Sequence, residues 1–193
     1  MSLSSSMGDE VAINADGTVL GMGTLMLGQD LTPFVPFQFV GNSILLTGSG
    51  GLRYNVGGAV QISDTRNGRT LLTLPAVPNT PDSAKAFAID PTGQKILVCA
   101  NGSLNYYELA VVPLAVGTVS PVQATPGTTL TISGDGFVAE TTATIAGTSA
   151  SCTMANSQTL QCGVPTVSAG LTPMTLTNPD GQMYSFEAAV TIE

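Results

Sequence analysis

The chain has 193 residues, with 13 acidic and 5 basic side chains, a net charge of −8, only 9% charged residues, and neither histidine nor tryptophan. That length holds one large or two modest domains. Without histidine there is no Ser–His–Asp triad, no Cys–His pair and no His-ligated zinc. So acidic a chain also lacks the clustered Lys and Arg that nucleic acid requires.

Met1 to Gly8 has neither the basic nor the apolar segment of a signal peptide. With a methionine on either side of a serine-rich run, residues 1–8 read as an added leader and are set apart. Beyond them helical periodicity is scarce. Short β-rich runs at 10–13, 19–22, 37–40, 43–47, 59–64, 70–74, 86–89, 95–100 and 103–109 alternate with turn signals at Asp16-Gly17, Gly50-Gly51, Asn67-Gly68, Pro91-Thr92-Gly93 and Asn101-Gly102. The expected class is all-β. No membrane insertion is expected: residues 31–52 and 141–179 are broken by Gly, Pro, Ser or Thr, and the apolar run 109–116 is interrupted by Pro113.

Within the first half a motif recurs. Val11-Ala12-Ile13-Asn14-Ala15-Asp16-Gly17 parallels Phe87-Ala88-Ile89-Asp90-Pro91-Thr92-Gly93, residues 37–46 form a looser third copy, and residues 60–74 supply a complementary strand–turn–strand. Residues 9–110 thereby resemble the β-propeller blades of surface proteins (YVTN or NHL type). A blade takes about 40–50 residues and closure needs at least about four blades. The segment 9–112 therefore holds about two, cannot close by itself, and is expected to belong to a longer protein and to self-associate. A small complete sheet or sandwich is the alternative.

The text changes after Leu109. Residues 113–117 read as a linker, and residues 118–193 as a second domain. Val119-Ser120-Pro121, Pro126-Gly127, Leu130 to Phe137, Cys152, Cys162 to Pro165 and Leu176 to Gly181 follow one another as the landmarks of an IPT/TIG domain, which this segment resembles. That resemblance implies an immunoglobulin-like β-sandwich. The residues agree: Leu130 and Ile132 alternate with Thr129, Thr131 and Ser133, Gly134-Asp135-Gly136 marks a turn or bulge before a core Phe137, and Asn178-Pro179-Asp180-Gly181 is hairpin chemistry.

If Asn156 to Gln158 forms a turn, Cys152 lies opposite Cys162 at a Cα separation of about 4.5–5.5 Å, within disulfide range. A bridged pair is also what the IPT/TIG resemblance implies; two unpaired thiols are the alternative. A bridge would place the protein outside the cytoplasm, as secreted, periplasmic or cell-surface. Cys99, in an apolar run, is expected to be a buried inert thiol. Gly134-Asp135-Gly136-Phe137-Val138-Ala139 fits a dinucleotide fingerprint by letter only, because Glu140 to Ile145 has strand rather than helix composition. The aspartates beside Gly or Pro, Asp16, Asp90, Asp135 and Asp180, are expected to cap their own turns. With no D-x-D-x-D-G loop they suggest neither calcium nor a glycosidase pair. Ser83-Ala84-Lys85 is one residue short of S-x-x-K. Of the aromatics, Tyr106 and Tyr107 are the candidate ligand contacts; as neighbours on a strand they face opposite sides, so at least one belongs to a core.

No catalytic, cofactor or metal site is expected. The reading is a non-enzymatic, bacterial secreted or cell-surface structural or interaction module with a protein or glycan partner, no nucleic acid and no cofactor. The alternative is a carbohydrate-associated accessory region of a secreted polysaccharide-acting enzyme.

Overall fold

A computed structural model of the chain describes residues 11–22, 25–28, 33–36, 43–56, 59–75, 86–100 and 103–193. The chain divides into two compact units, Met1–Val111 and Val112–Glu193. The described residues are all-β, and none lies in a helix long and apolar enough to cross a membrane.

The first unit is a series of antiparallel meanders. Strands β1 (Val11–Ile13), β2 (Val19–Met22), β3 (Leu25–Gly28) and β4 (Pro33–Pro36) form one four-stranded sheet in chain order. A second follows with β5 (Ser43–Leu46), β6 (Leu52–Val56), β7 (Val60–Asp64) and β8 (Thr70–Thr73), then a three-stranded sheet of β9 (Ala86–Ile89), β10 (Lys95–Ala100) and β11 (Ser103–Glu108). Three of these strands escape the sequence pattern. Strand β6 carries Arg53 and Asn55 yet is buried along its whole length, so polarity hides it. Strand β4 begins and ends with proline, tolerable at the sheet edge it occupies because no ladder N–H is needed there. Strand β3 is short and glycine-flanked. The strand expected at 37–40 and the turn at Asn101-Gly102 lie outside the described residues.

The first hairpin of each sheet turns in the same way. Gly17, Gly50 and Gly93 donate their N–H to the carbonyls of Asn14, Thr47 and Asp90 at 3.2, 3.0 and 2.9 Å. All three glycines have positive φ, of 74°, 74° and 72°, the left-handed conformation that glycine adopts without strain. The turn of the second sheet that matches Asn14 to Gly17 is therefore Thr47 to Gly50; of the looser copy expected at 37–46, residues 37–42 lie outside the described residues. The turns are also joined. Ala15 N–H donates to the Gly48 carbonyl at 3.2 Å, and Gly48 N–H to the Pro91 carbonyl at 2.9 Å. First strands touch correspondingly, β5 lying against both β1 and β9. Ala12, Val19 and Met26 of the first sheet form one buried cluster with Leu46 of the second.

The second unit holds β12 (Ala115–Ser120), β13 (Gln123–Ala124), β14 (Thr129–Asp135), β15 (Thr142–Ile145), β16 (Thr148–Asn156), β17 (Thr159–Gly163), β18 (Gly170–Thr177) and β19 (Met183–Ile192). They are hydrogen-bonded in the order β12-β14-β17-β16-β15-β18-β19-β13. Strand β16 serves both layers of the sandwich: Thr148 to Ala150 pair with β15, and Ser151 onward with β17. Between the layers lie Leu130, Ile132, Ile145, Leu160, Met174 and Leu176, all at most 1% exposed. Phe137, 2% exposed, closes over Gly134, where a Cβ would stand 2.6 Å from its ring. The Asn178 side chain, 3% exposed, accepts from the Thr141 hydroxyl at 2.7 Å and donates to the Gly136 carbonyl at 2.8 Å, tying the 178–181 hairpin to the loop after β14.

One boundary is corrected. Residues 113–117 are not a linker, since Leu114, Ala115 and Val116 are at most 4% exposed and Ala115 begins β12, paired with Asp135 of β14. The small apolar residues that suggested an extended connector are the first edge of the sandwich core.

Candidate functional site

Alternation along β10 buries Ile96 and Val98 completely and turns Lys95, Leu97 and Cys99 outward. On β11 the register places Tyr106 opposite Leu97 and Leu104 opposite Cys99. One face of the third sheet therefore gathers Leu97, Leu104 and Tyr106, respectively 39%, 70% and 54% exposed. Among the described residues this is the densest exposed apolar cluster on a regular element. The two tyrosines part as their adjacency requires. Tyr106 lies on the exposed face, and Tyr107, half-buried, lies opposite Ile96 on the other. The Tyr106 hydroxyl donates to Glu108 at 2.9 Å, and that bond holds the phenol above its ordinary pKa.

Cys99 is a free, exposed thiol on this same face, not a buried one. The apolar run Ile96 to Ala100 alternates instead of being buried throughout: Ile96 and Val98 are covered, and Leu97 and Cys99 are exposed. Leu97, Cys99 and Leu104 are the site residues that sequence reasoning missed, and the alternation in 95–100 was the signal that could have found them.

Cys152 and Cys162 are bridged, S–S 2.04 Å, across directly opposed positions of β16 and β17. Their turn is fixed by the Asn156 side chain, which accepts the Gln158 N–H at 2.8 Å. The bridge cross-links two neighbouring strands.

The turn aspartates are engaged locally. Asp16 accepts from Asn14 Nδ2 and the Thr18 hydroxyl, each at 2.6 Å, and from Thr18 N–H at 3.1 Å. Partial burial pushes the Asp90 carboxyl upward, but hydrogen bonds from Lys95 N–H and the Thr92 hydroxyl outweigh it and hold the pKa below the ordinary value. Asp180 is held low by the side chain and N–H of Gln182. Asp135 differs from this pattern: it is fully buried at the end of β14 and accepts from Gln158 Nε2 at 2.8 Å. No group of three His, Cys, Asp or Glu side chains suited to a metal gathers among the described residues. Arg53 is 1% exposed within the second sheet, and burial lowers its pKa to about 10.

Residues 114–192 match the IPT/TIG domain model and form an immunoglobulin-like domain of that family. No curated protein matches the sequence. Among solved structures, the chain is similar to an auxiliary nutrient binding protein from Bacteroides thetaiotaomicron, with 20% identity over 42% of this chain and 21% of that one, TM-score 0.33. It is similar also to the SGBP-B of a Bacteroides ovatus mixed-linkage glucan utilization locus, solved with a heptasaccharide, with 19% identity over 51% of this chain and 29% of that one, TM-score 0.35. A third is a gamma-CGTase from an alkalophilic Bacillus clarkii, with 15% identity over 80% of this chain and 25% of that one, TM-score 0.41. The chain spans less than a third of the length of each of these proteins.

Proposed function

We propose that this chain is a non-catalytic, extracytoplasmic structural and interaction module in which consecutive propeller-type blades precede an IPT/TIG domain. The observation that carries the reading is the exposed apolar face of Leu97, Leu104 and Tyr106, held on a folded sheet rather than a loop. Collected apolar surface of this kind marks an interaction site more often than a reaction site. The blade reading draws on the repeated turns and the N–H···O bonds that couple them. The location draws on the Cys152–Cys162 bridge, since disulfides persist in oxidising compartments.

Location is tested by acid-quenching and alkylating cells that make the protein naturally, then mapping thiols by mass spectrometry. A linked 152–162 pair supports it; alkylation at both positions refutes it.

A second reading has one observation in its favour. The exposed Tyr106 ring is a candidate stacking surface for a sugar, as expected of a carbohydrate-associated region. Affinity electrophoresis against a polysaccharide panel tests this: retardation abolished by Tyr106→Ala supports glycan contact, and unchanged migration on every polysaccharide removes it.

A further inference from the structure

Between β7 and β8 the chain turns through Asp64-Thr65-Arg66-Asn67-Gly68-Arg69. Asparagine followed by glycine is the dipeptide most open to self-modification, because no Cβ shields the glycine nitrogen from the preceding side-chain amide. That nitrogen attacks the asparagine Cγ. The N–Cγ bond forms, the Cγ–Nδ2 bond breaks, and Nδ2 leaves as ammonia with the backbone proton. Water then opens the cyclic imide to aspartate or isoaspartate. Asn67 is exposed, so water reaches it. In this turn, however, each reacting group is engaged. The nucleophile, Gly68 N–H, donates to the Asp64 carbonyl at 2.9 Å. The leaving group, Asn67 Nδ2, donates to Asp64 Oδ2, and Asn67 Oδ1 accepts the Arg69 N–H at 2.9 Å.

Asp64 is itself firmly placed. It is 1% exposed, its Oδ1 accepts the Arg66 N–H at 2.8 Å, and its own N–H donates to the Arg69 carbonyl at 3.0 Å. Thr65, also 1% exposed, donates its hydroxyl to the Gly50 carbonyl at 2.6 Å and its N–H to the Gly51 carbonyl at 3.1 Å. The base of this turn is thereby fixed to the turn between β5 and β6. We propose that Asn67 is a self-modification site that Asp64 keeps closed, and that conversion there unlatches β7 from β8. Neither product fits the closed turn. Aspartate would set a second carboxylate against Asp64 where an N–H now donates, opposing like charges. Isoaspartate would add a backbone atom inside a turn whose ends, Asp64 and Arg69, are hydrogen-bonded to each other. The strand set loose is β8, the edge of the second sheet. Conversion therefore proceeds only while the turn is open, at a rate set by the population of the open form.

The test incubates the full chain in mildly alkaline buffer, folded and in denaturing urea, and follows Asn67 by peptide mapping and mass spectrometry. Both the amide-to-acid mass gain and isoaspartate are read. Conversion should be about tenfold slower or more in the folded chain; equal rates overturn the proposal. Asp64→Asn keeps the side chain's shape and removes the carboxylate, and should convert several-fold faster than wild type. A folded variant, with the amides of β6 and β7 still protected, that converts as slowly as wild type overturns the role given to Asp64. Should that variant not fold, wild type in subdenaturing urea decides. Conversion and Gly68 amide exchange share one opening and should rise in parallel, and conversion that stays flat while Gly68 exchange quickens overturns the proposal. The consequence is read on the converted protein after separation by charge. Its Asp64 and Gly68 amides should exchange faster than those of unconverted protein, and unchanged protection there refutes the unlatching.

Discussion

At Gly93 one residue joins local backbone chemistry to the packing of one sheet on the next. Its φ of 72° suits glycine, and a Cβ there would meet the Tyr54 hydroxyl and stand 2.8 Å from Thr47 Cγ2. Gly17 has nearly the same backbone, φ 74°, but a Cβ would find only Ile13 Cδ1, at 3.9 Å. The pair therefore separates two costs. Gly17→Ala should lose only the conformational part, about 1–2 kcal/mol. Gly93→Ala should lose that and an overpacking penalty of a further 1–3 kcal/mol, roughly. Tyr54→Phe, which removes the hydroxyl bonded to the Gly93 carbonyl, should lose about 1 kcal/mol. Urea unfolding of the three variants measures these differences. Equal losses at Gly17 and Gly93 would show that the third turn does not rest on Tyr54.

Strands and hairpins were legible where one face meets solvent and obscure where both are covered. Strand β14 alternates cleanly, Leu130 and Ile132 inward and Thr129 outward, so composition marked it. Strand β6 lies between neighbouring sheets with Arg53 and Asn55 buried in it, and a polar residue inside a covered strand looks like a loop when read by hydropathy alone. The apolar stretch before the sandwich failed in the opposite sense. Residues 113–117 carry no turn signal of their own, and their burial comes from pairing with β14, a partner fifteen or more positions away. Of the candidate contacts, Tyr106 and Tyr107 were legible as opposite-facing neighbours, but which one faces solvent depends on the packing of the whole sheet. The bridge between β16 and β17 was legible because a short hairpin fixes its own register. Its contribution belongs to this scale. Closing a loop with a sequence separation of 10 restricts the unfolded chain by about 2–3 kcal/mol. Cys152→Ala with Cys162→Ala should reduce the unfolding free energy of the sandwich by that amount, read as a lower urea midpoint, without changing its strands, as read by amide exchange. An unchanged midpoint would mean that the hairpin is equally restricted without the bond.

For the molecule as a whole, charge and covalent chemistry divide along the chain. Asp135, Glu140, Asp180, Glu187 and Glu193 are the only charged side chains after position 112, whereas Arg53, Arg66, Arg69, Lys85 and Lys95 all precede it. The bridge lies in the unit Val112–Glu193, and the free thiol Cys99 in the unit Met1–Val111. Each unit encloses its own buried apolar residues, Leu52, Tyr54 and Ile62 in the first, Leu130, Ile132 and Leu176 in the second. Units with separate cores unfold as separate cooperative transitions. Calorimetry of the full chain should therefore resolve two, and each should answer to a different perturbation. A reductant strong enough to open Cys152–Cys162 should lower only the transition of the second unit, because the first contains no bond for it to break. Gly93→Ala should lower only the other. A single transition moved by both perturbations would show that the two units fold as one and that the division of the chain at this boundary has no energetic meaning.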